Sequence, residues 1–496
     1  MNAMYARLAR DVLGYTEQDL KSGQIDTLTI RHSRALLKLY QDMMVLDEAD
    51  SRQATQQAKW LRNKADLNAY PMQVFSPYQM LKAAYSLKGF ESLLLDYVDG
   101  LFIFDEIHAY EPKRLALIIE LMRWLRENFG ARFLVMTATL PPMLQRKLED
   151  ALTPQVIYAN ADEFVRSRRH RVEIRDGSLS ESILPQIQSD WSHGKKVLVC
   201  LNRVADAQQV YLHLRDGLGL RPDEDIVLLH GRFNGFDRAR KEATLLQRAG
   251  VGNNDSRPFV CIATQVVEVS LNVDFDTLYT DPAPLEALLQ RFGRVNRGRA
   301  VQDILPVHVF RQPSAQGDKP YLPYEQRLVE DSLRVLESYC DGRTIDESLV
   351  TTMLGEIYSG QTLDEWENAY ETSRSAFVRD ILGAMQPFTS ADDALKHTFY
   401  KLFDGIEVLP VSLLDAYYDA RDSRGYLEAS QYLVNISYQT YGEFNRYGRI
   451  IYAKELENEY ADHINIEYSE EFGLDIEQAR QAHKAASQQT IEDSGE

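Results

Sequence analysis

The sequence predicts an α/β protein: two doubly wound units of parallel sheet, followed by a mostly helical region. Three observations carry this. Short runs rich in Val, Ile, Leu and Phe recur as far as Phe310, and runs that stay apolar without alternation mark strands covered on both faces. Longer segments with apolar residues at helical spacing lie between them, so strand and helix alternate. Beyond about residue 324 no comparable series of runs is found.

Taken in order, Leu101–Phe104 and Phe133–Met136 are the first strands, and the helix over Lys113–Asn128 between them sets Leu115, Ile118, Ile119 and Met122 on one face. The polar, basic stretch Arg166–Arg175 and the Ser-rich Ser178–Ser182 read as the link to a second unit. There Val197–Leu201, Ile226–Leu229, Phe259–Ala263, Thr277–Thr280 and Val307–Phe310 are strands, with helices over Ala205–Arg215 and Asp237–Arg248. A second link, where Gln, Pro, Ser, Gly and Asp cluster, spans Arg311–Pro323. Eleven of the 27 tyrosines fall between Tyr400 and Tyr468; they read as half-buried packing in preference to base-stacking platforms. The polar end from Ala485 reads as frayed.

Composition bounds the function. A chain of 496 residues, 44% hydrophobic, holds about three domains. Cys200, Cys261 and Cys340 are too few and too scattered for a disulfide framework or a zinc site, which fits a reducing cytoplasm. No apolar run reaches the roughly 18 residues of a membrane span, and no signal pattern opens the chain. The net charge of −19 argues against nonspecific coating of nucleic acid by basic surface. That charge is uneven: residues 1–300 carry 39 basic and 38 acidic side chains, residues 301–496 carry 16 and 36. The first 300 residues are close to neutral and can bear local arginine clusters.

The most informative string is Leu101-Phe-Ile-Phe-Asp105-Glu106-Ile-His108-Ala-Tyr110. An apolar strand runs straight into two carboxylates, placing them at the carboxyl end of the sheet where α/β folds form ligand crevices. One such acid can hold Mg2+ through its water shell while its neighbour activates the water that attacks a terminal phosphate; a solvated turn or a helix cap would use the same residues. Next, Phe133–Met136 leads into Thr137-Ala138-Thr139-Leu140-Pro141-Pro142. Its hydroxyls suit hydrogen bonds to the acids, and equally suit a helix start. In the second unit a polar string, Thr264-Gln265-Val-Val-Glu268-Val-Ser270-Leu-Asn272-Val-Asp274-Phe-Asp276, follows a strand. Then comes Gln290-Arg-Phe-Gly-Arg294-Val-Asn-Arg297, which places Arg294 and Arg297 on one face at a helix end. Arginine suits phosphate because its planar fork is permanently charged. A surface arginine stripe is the alternative, disfavoured here by the preceding Gln and the intervening Gly.

Together with Leu229-His230-Gly231-Arg232-Phe233, these strings make the chain resemble a superfamily 2 DExH-box helicase, and more narrowly the helicase-nuclease family of type I CRISPR interference. The resemblance covers residues 1–312 strongly and the rest only in length and general character. It implies two RecA-like domains, residues 1–162 (incomplete) and 163–312, with an acidic, mostly helical accessory region over 313–496. It implies an ATP-dependent motor moving on single-stranded DNA during invader degradation, with ATP and Mg2+ as cofactors and an RNA-guided surveillance complex as partner. By position, Asp105 matches the Mg2+ ligand, Glu106 the catalytic base, and His108 the group coupling hydrolysis to DNA. Thr137 and Thr139 match the interdomain coupling motif. Arg294 and Arg297, with Gln290 beside them, match arginine fingers. Thr264 and Gln265 match a grip on the nucleic-acid backbone, and Arg232 an accessory contact near its path. Asn272 departs from the family's usual aspartate.

Two features of the family are absent from residues 1–496. No G-x-x-x-x-G-K-[ST] loop is present, since Gly194-Lys195 precedes a strand and has no glycine five positions earlier. Nor is there a His-Asp cluster of a metal-dependent HD nuclease. The resemblance implies a phosphate loop and a central strand supplied from elsewhere, as a preceding fragment or a partner, and an unpaired strand edge where that strand belongs. Two alternatives stay open: a truncated or split-gene product that only binds nucleic acid or the surveillance complex, and a DExH RNA helicase of another family.

Overall fold

The computed structural model describes residues 2–16, 18–19, 25–31, 35–44, 51–67, 69–157, 168–268, 271–298, 304–317, 319–386, 389, 391–402, 405–453 and 461–493. They fall into two compact units. Met1–Ile157, Tyr358–Asp404 and Tyr417–Ser430 form the first; Tyr158–Ile357, Gly405–Ala416 and Gln431–Glu496 form the second. Residues 313–496, expected as one accessory region, are therefore shared between the units. The boundary expected at 162/163 and the motif residue Ser270 lie outside the described residues.

The first unit contains two parallel pairs, β1 (Leu28–Arg31) with β2 (Met72–Phe75) and β3 (Leu101–Asp105) with β4 (Arg132–Met136). The helix Pro112–Phe129 connects β3 to β4. Proline starts it where a missing N–H costs nothing, and Gly130, at φ 66°, ends it in the left-handed conformation. Its face buries Leu115, Ile118, Ile119 and Met122 as expected. The unit's core is then closed from far along the chain: the helix Gly360–Phe377 adds Trp366, Tyr370 and Phe377. Burial of such aromatic surface is what draws this part of the C-terminal sequence into the first unit.

The second unit is built on a six-stranded sheet in the order β5-β10-β9-β6-β8-β7, every pairing parallel. Its strands are β5 (His170–Ser178), β6 (Lys196–Cys200), β7 (Ile226–Leu229), β8 (Phe259–Ala263), β9 (Thr277–Thr280) and β10 (Leu305–Gln312). The apolar runs of β7, β8 and β9 are buried at every position, as sheet covered on both faces requires. One expectation is corrected. Arg171–Arg175 is no link but part of β5, and Ser178 leads into the helix Leu179–Ser192. β5 is an edge strand, so Arg171, Glu173 and Arg175 point to solvent and pair with one another, and the alternating pattern hides the strand.

Between residues 405 and 474 a small four-stranded sheet joins the helices, in the order β12 (Val434–Ile436), β11 (Ile406–Pro410), β14 (His463–Ile464), β13 (Ile450–Ile451). A two-stranded hairpin follows, β15 (Tyr468–Ser469) and β16 (Gly473–Leu474). These strands are two to five residues long, too short to show as apolar runs in a region that is otherwise helical.

Candidate functional site

At the carboxyl end of β3, Asp105 is exposed and Glu106 takes a left-handed backbone, φ 53°, an uncommon conformation for a residue with a Cβ. The Glu106 amide donates to Met136 O at 2.9 Å, which ties the turn to the end of β4. The turn sends Ile107 into the core and brings the His108 ring over the β4 loop. His108 Nδ1 lies 2.5 Å from Thr137 Oγ1 and 3.2 Å from Glu106 Oε2. The Thr137 hydroxyl gives its proton to Thr139 O at 2.7 Å, so the ring nitrogen is the donor and neutral His108 carries its proton on Nδ1. Burial holds its pKa down to about 4, so the ring is neutral at pH 7. The Ala138 amide reaches Glu106 Oε2 at 3.4 Å. Thr139 is buried, and its hydroxyl has no hydrogen-bond partner among the described residues.

Five residues singled out in the sequence, Asp105, Glu106, His108, Thr137 and Thr139, therefore meet at one edge of the first unit. The arrangement has a definite chemistry. Glu106, partly exposed, is oriented by a neutral imidazole and a backbone amide, which leaves it able to accept a proton. Asp105 offers hard oxygen donors suited to Mg2+. Among the described residues no group of three or more His, Cys, Asp or Glu could hold a metal ion alone. The oxygen donors of Asp105 and Glu106 suit a hard cation that takes its other ligands from water and phosphate.

In the second unit, Thr264 and Gln265 follow β8. Thr264 is buried, and Gln265 Nε2 donates to Asn202 O at 2.8 Å. The helix Leu285–Phe292 ends before the expected arginine face: Gly293 and a left-handed Asn296, φ 48°, turn the chain. Arg294 and Arg297 consequently separate. Arg294 is buried, with Nη1 on Leu271 O at 2.6 Å and Nη2 on Glu268 O. Arg297 is exposed, and its amide and that of Gly298 are capped by the Asp274 carboxylate at 2.8 and 2.9 Å. Gln290 is partly buried at the end of the same helix.

Arg232, matched by the resemblance to an accessory contact near the nucleic-acid path, is partly buried. Burial pushes its guanidinium down to about 10, and Nη1 has no hydrogen-bond partner among the described residues. The hairpin β15–β16 hydrogen-bonds to this segment. Leu474 N donates to Arg232 O at 3.1 Å, and His230, stacked on Phe233 with centroids 4.3 Å apart, donates from Nε2 to Phe472 O at 3.1 Å. The Arg232 amide reaches His230 Nδ1 at 3.2 Å, which fixes that tautomer. Tyr468 OH bonds the Asp237 carboxylate at 2.5 Å and accepts from Asn234 N at 3.1 Å.

Sequence reasoning missed the centre of this unit, Arg291. It is fully buried, donating from Nε to Glu268 Oε1 at 2.8 Å, from Nη1 to Thr280 Oγ1 at 2.7 Å and from Nη2 to Asn202 Oδ1 at 3.0 Å. Its signal was its spacing: Leu285, Leu288 and Arg291 lie three apart, on the buried face of their helix.

Residues 193–300 match the family model described as CRISPR-associated nuclease/helicase Cas3, C-terminal. A CRISPR-associated nuclease/helicase Cas3 of Methanothermobacter thermautotrophicus is 25% identical over 444 residues, 86% of this chain and 49% of that protein. The chain thus spans about half the length of that relative. The crystal structure of T. fusca Cas3 with AMPPNP superposes with a TM-score of 0.69 at 19% identity, covering 95% of this chain and 62% of that one. A chain from a CRISPR RNA-guided surveillance complex in a pre-nicking state gives 0.54 at 17% identity, covering 90% and 62%.

Proposed function

We propose that the chain belongs to the Cas3 helicase family of type I CRISPR systems, as its similarities suggest, and that it is part of an ATP-dependent motor that moves on single-stranded DNA during invader degradation. One observation carries the proposal: the His108, Thr137 and Glu106 cluster joins the acidic turn after β3 to the hydroxyl loop after β4. A carboxylate that takes a proton from water here would change the charge beside the imidazole, and the hydroxyl loop would feel it through a 2.5 Å contact. Asp105 would hold Mg2+ through water, and ATP with Mg2+ would supply the scissile phosphate and its charge neutralisation. Arg297, exposed, would reach toward phosphate as a finger with Gln290 beside it, while Arg294, bound to two carbonyls, would keep the finger's turn attached to the loop after β8. Thr264 and Gln265 would grip the DNA backbone there, with Arg232 near its path.

Partners follow from the same premise: single-stranded DNA, and an RNA-guided surveillance complex of the kind that holds the related chain. The phosphate loop, and an HD nuclease, would come from a preceding fragment or another chain. Among the described residues no helix is long and apolar enough to cross a membrane, and three buried free cysteines are in keeping with a cytoplasmic location. Titration with a fluorescent single-stranded oligonucleotide, with and without ATP and Mg2+, tests the proposal once a phosphate loop is supplied. Affinity that moves with nucleotide marks a motor, and affinity indifferent to it leaves a binding protein. Stimulation of hydrolysis by RNA in place of DNA would point instead to an RNA helicase.

A further inference from the structure

The helix Ser51–Asp66 of the first unit has an ordinary inner face and an unusual outer one. Inward, Ala54, Ala58 and Leu61 are buried with Leu39, Tyr40 and Leu427, and Ala65 is buried on the same side. Trp60 lies off that face and is 56% exposed. An indole stabilises a fold through the area it removes from water, and this one leaves most of its area outside. Gln56 and Asn63, one turn to either side of Trp60, are exposed and polar. The helix is also basic: Arg52, Lys59, Arg62 and Lys64 stand against one acid, Asp66, in a chain whose net charge is −19. One of these cations is already on the ring. Lys64 Nζ lies 4.6 Å from the Trp60 centroid and 5.3 Å from that of the buried Tyr70, so it covers one face of the indole.

The surroundings add charge of the same sign. Arg31, at the end of β1, and Arg62 share the single carboxylate of Asp66 at 3.7 and 3.8 Å. Burial and the nearby Arg31 and Arg62 lower the pKa of Lys82, with Asp66 the one carboxylate opposing them. Three cations around one carboxylate create a local positive potential that a polyanion would neutralise. An indole with an open face beside such a potential accepts any base by stacking. An exposed tryptophan also suits a protein partner, but the uncompensated cations favour phosphate. We propose that the outer face of the helix Ser51–Asp66 is a binding site for single-stranded nucleic acid, where a base stacks on the open face of Trp60 and backbone phosphates pair with Lys59 and Arg62. Lys59 and Arg62, three residues apart, share one side of the helix, next to Trp60. The site is distinct from Thr264, Gln265 and Arg232, which belong to the second unit. It takes a single strand because stacking needs an unpaired base. That the strand is DNA rests on the motor proposal; the stacking site itself does not.

The test titrates the full chain with labelled oligothymidylate, reading anisotropy of the strand and tryptophan fluorescence of the protein. Binding is expected to quench the fluorescence, and Trp60→Phe to remove that quenching while costing no more than about twofold in affinity, since phenylalanine keeps a stacking face. Trp60→Ala should weaken binding about tenfold, and a strand of abasic residues should bind wild type and Trp60→Ala alike. Lys59→Gln and Arg62→Gln should each lower the slope of log affinity against log salt by about 0.7. Thermal melting of the variants confirms that they fold. Affinity of Trp60→Ala within about twofold of wild type overturns the proposal. So does an abasic strand that still tells the two apart, because the indole would then act through the fold, and so does failure of the chain to bind any strand. Tighter binding of oligouridylate upholds the site and assigns it to RNA. With a phosphate loop supplied, binding that needs Trp60 but ignores ATP upholds the site and removes the motor proposal, and binding that follows ATP but ignores Trp60 does the reverse.

Discussion

Arg291 and Glu268 form a buried ion pair, Nε to Oε1 at 2.8 Å, that binds the arginine helix of the second unit to the loop following β8. The other guanidinium nitrogens are taken by Thr280, Asn202 and Tyr324. Removing the cation would leave a carboxylate and three side-chain oxygens without this donor. Arg291→Met is therefore expected to destabilise the second unit by about 3–5 kcal/mol in urea unfolding, and Arg291→Met/Glu268→Leu to recover a large part of that loss. Lysine should not rescue, since one ammonium cannot serve partners in three directions. Full stability for Arg291→Met would show that the pair holds nothing.

His108 gives a pH signature. Its folded pKa, lowered by burial to about 4, lies below the 6.5 of an exposed imidazole, so the unfolded chain binds the proton more tightly. Stability from this group is complete above pH 6.5 and is lost as the pH falls toward 4, to a limit of about 3 kcal/mol. His170 and His308, also held to about 4, act in the same direction. His108→Asn should shrink the acid-induced loss by up to that amount and leave the remainder. An unchanged acid profile in the variant would mean that His108 is solvated.

Asp206 behaves in the opposite sense. Burial raises its carboxyl to about 6, despite Arg203 3.5 Å away. The folded chain then holds the proton more tightly than the unfolded chain between pH 3.8 and 6, and this group costs stability as the pH rises through that window. Asp206→Asn is expected to raise the melting temperature at pH 7.5, by no more than the equivalent of about 3 kcal/mol, and to do nothing below pH 4. A destabilised variant at pH 7.5 would show that the ionised carboxylate is needed.

Residues 1–496 contain no phosphate loop, so the chain assayed alone is expected to show no appreciable DNA-stimulated ATP hydrolysis. Phosphate release measured with single-stranded DNA checks this. Turnover in the isolated chain that Glu106→Gln abolishes would mean that other residues cradle the phosphates.

Much of this molecule is legible in its sequence, for physical reasons that differ by element. The runs Ile226–Leu229, Phe259–Ala263 and Thr277–Thr280 announce buried parallel strands because every position must be apolar or internally bonded. Asp105, Glu106, His108, Thr137 and Thr139 could be singled out because strand ends in α/β sheets converge on one edge, and the structure does bring them together there. β5 was illegible because an edge strand may be half polar. Arg294 and Arg297 were expected on one helical face; whether a helix continues past Phe292 depends on Gly293 and on the carbonyls that Arg294 finds at Glu268 and Leu271.

By itself, then, the sequence determined the α/β class, the order of the strands along the chain and the residue types placed at the strand ends. Those follow from short-range rules of burial and periodicity. Tertiary structure alone decided that Trp366 and Tyr370 close the first unit's core, that a hairpin from residues 468–474 hydrogen-bonds to His230 and the Arg232 backbone, and that one face of β3 and β4 is exposed. Each of these depends on contacts between segments more than a hundred residues apart or on surface left uncovered, and neither leaves a periodic trace in the chain.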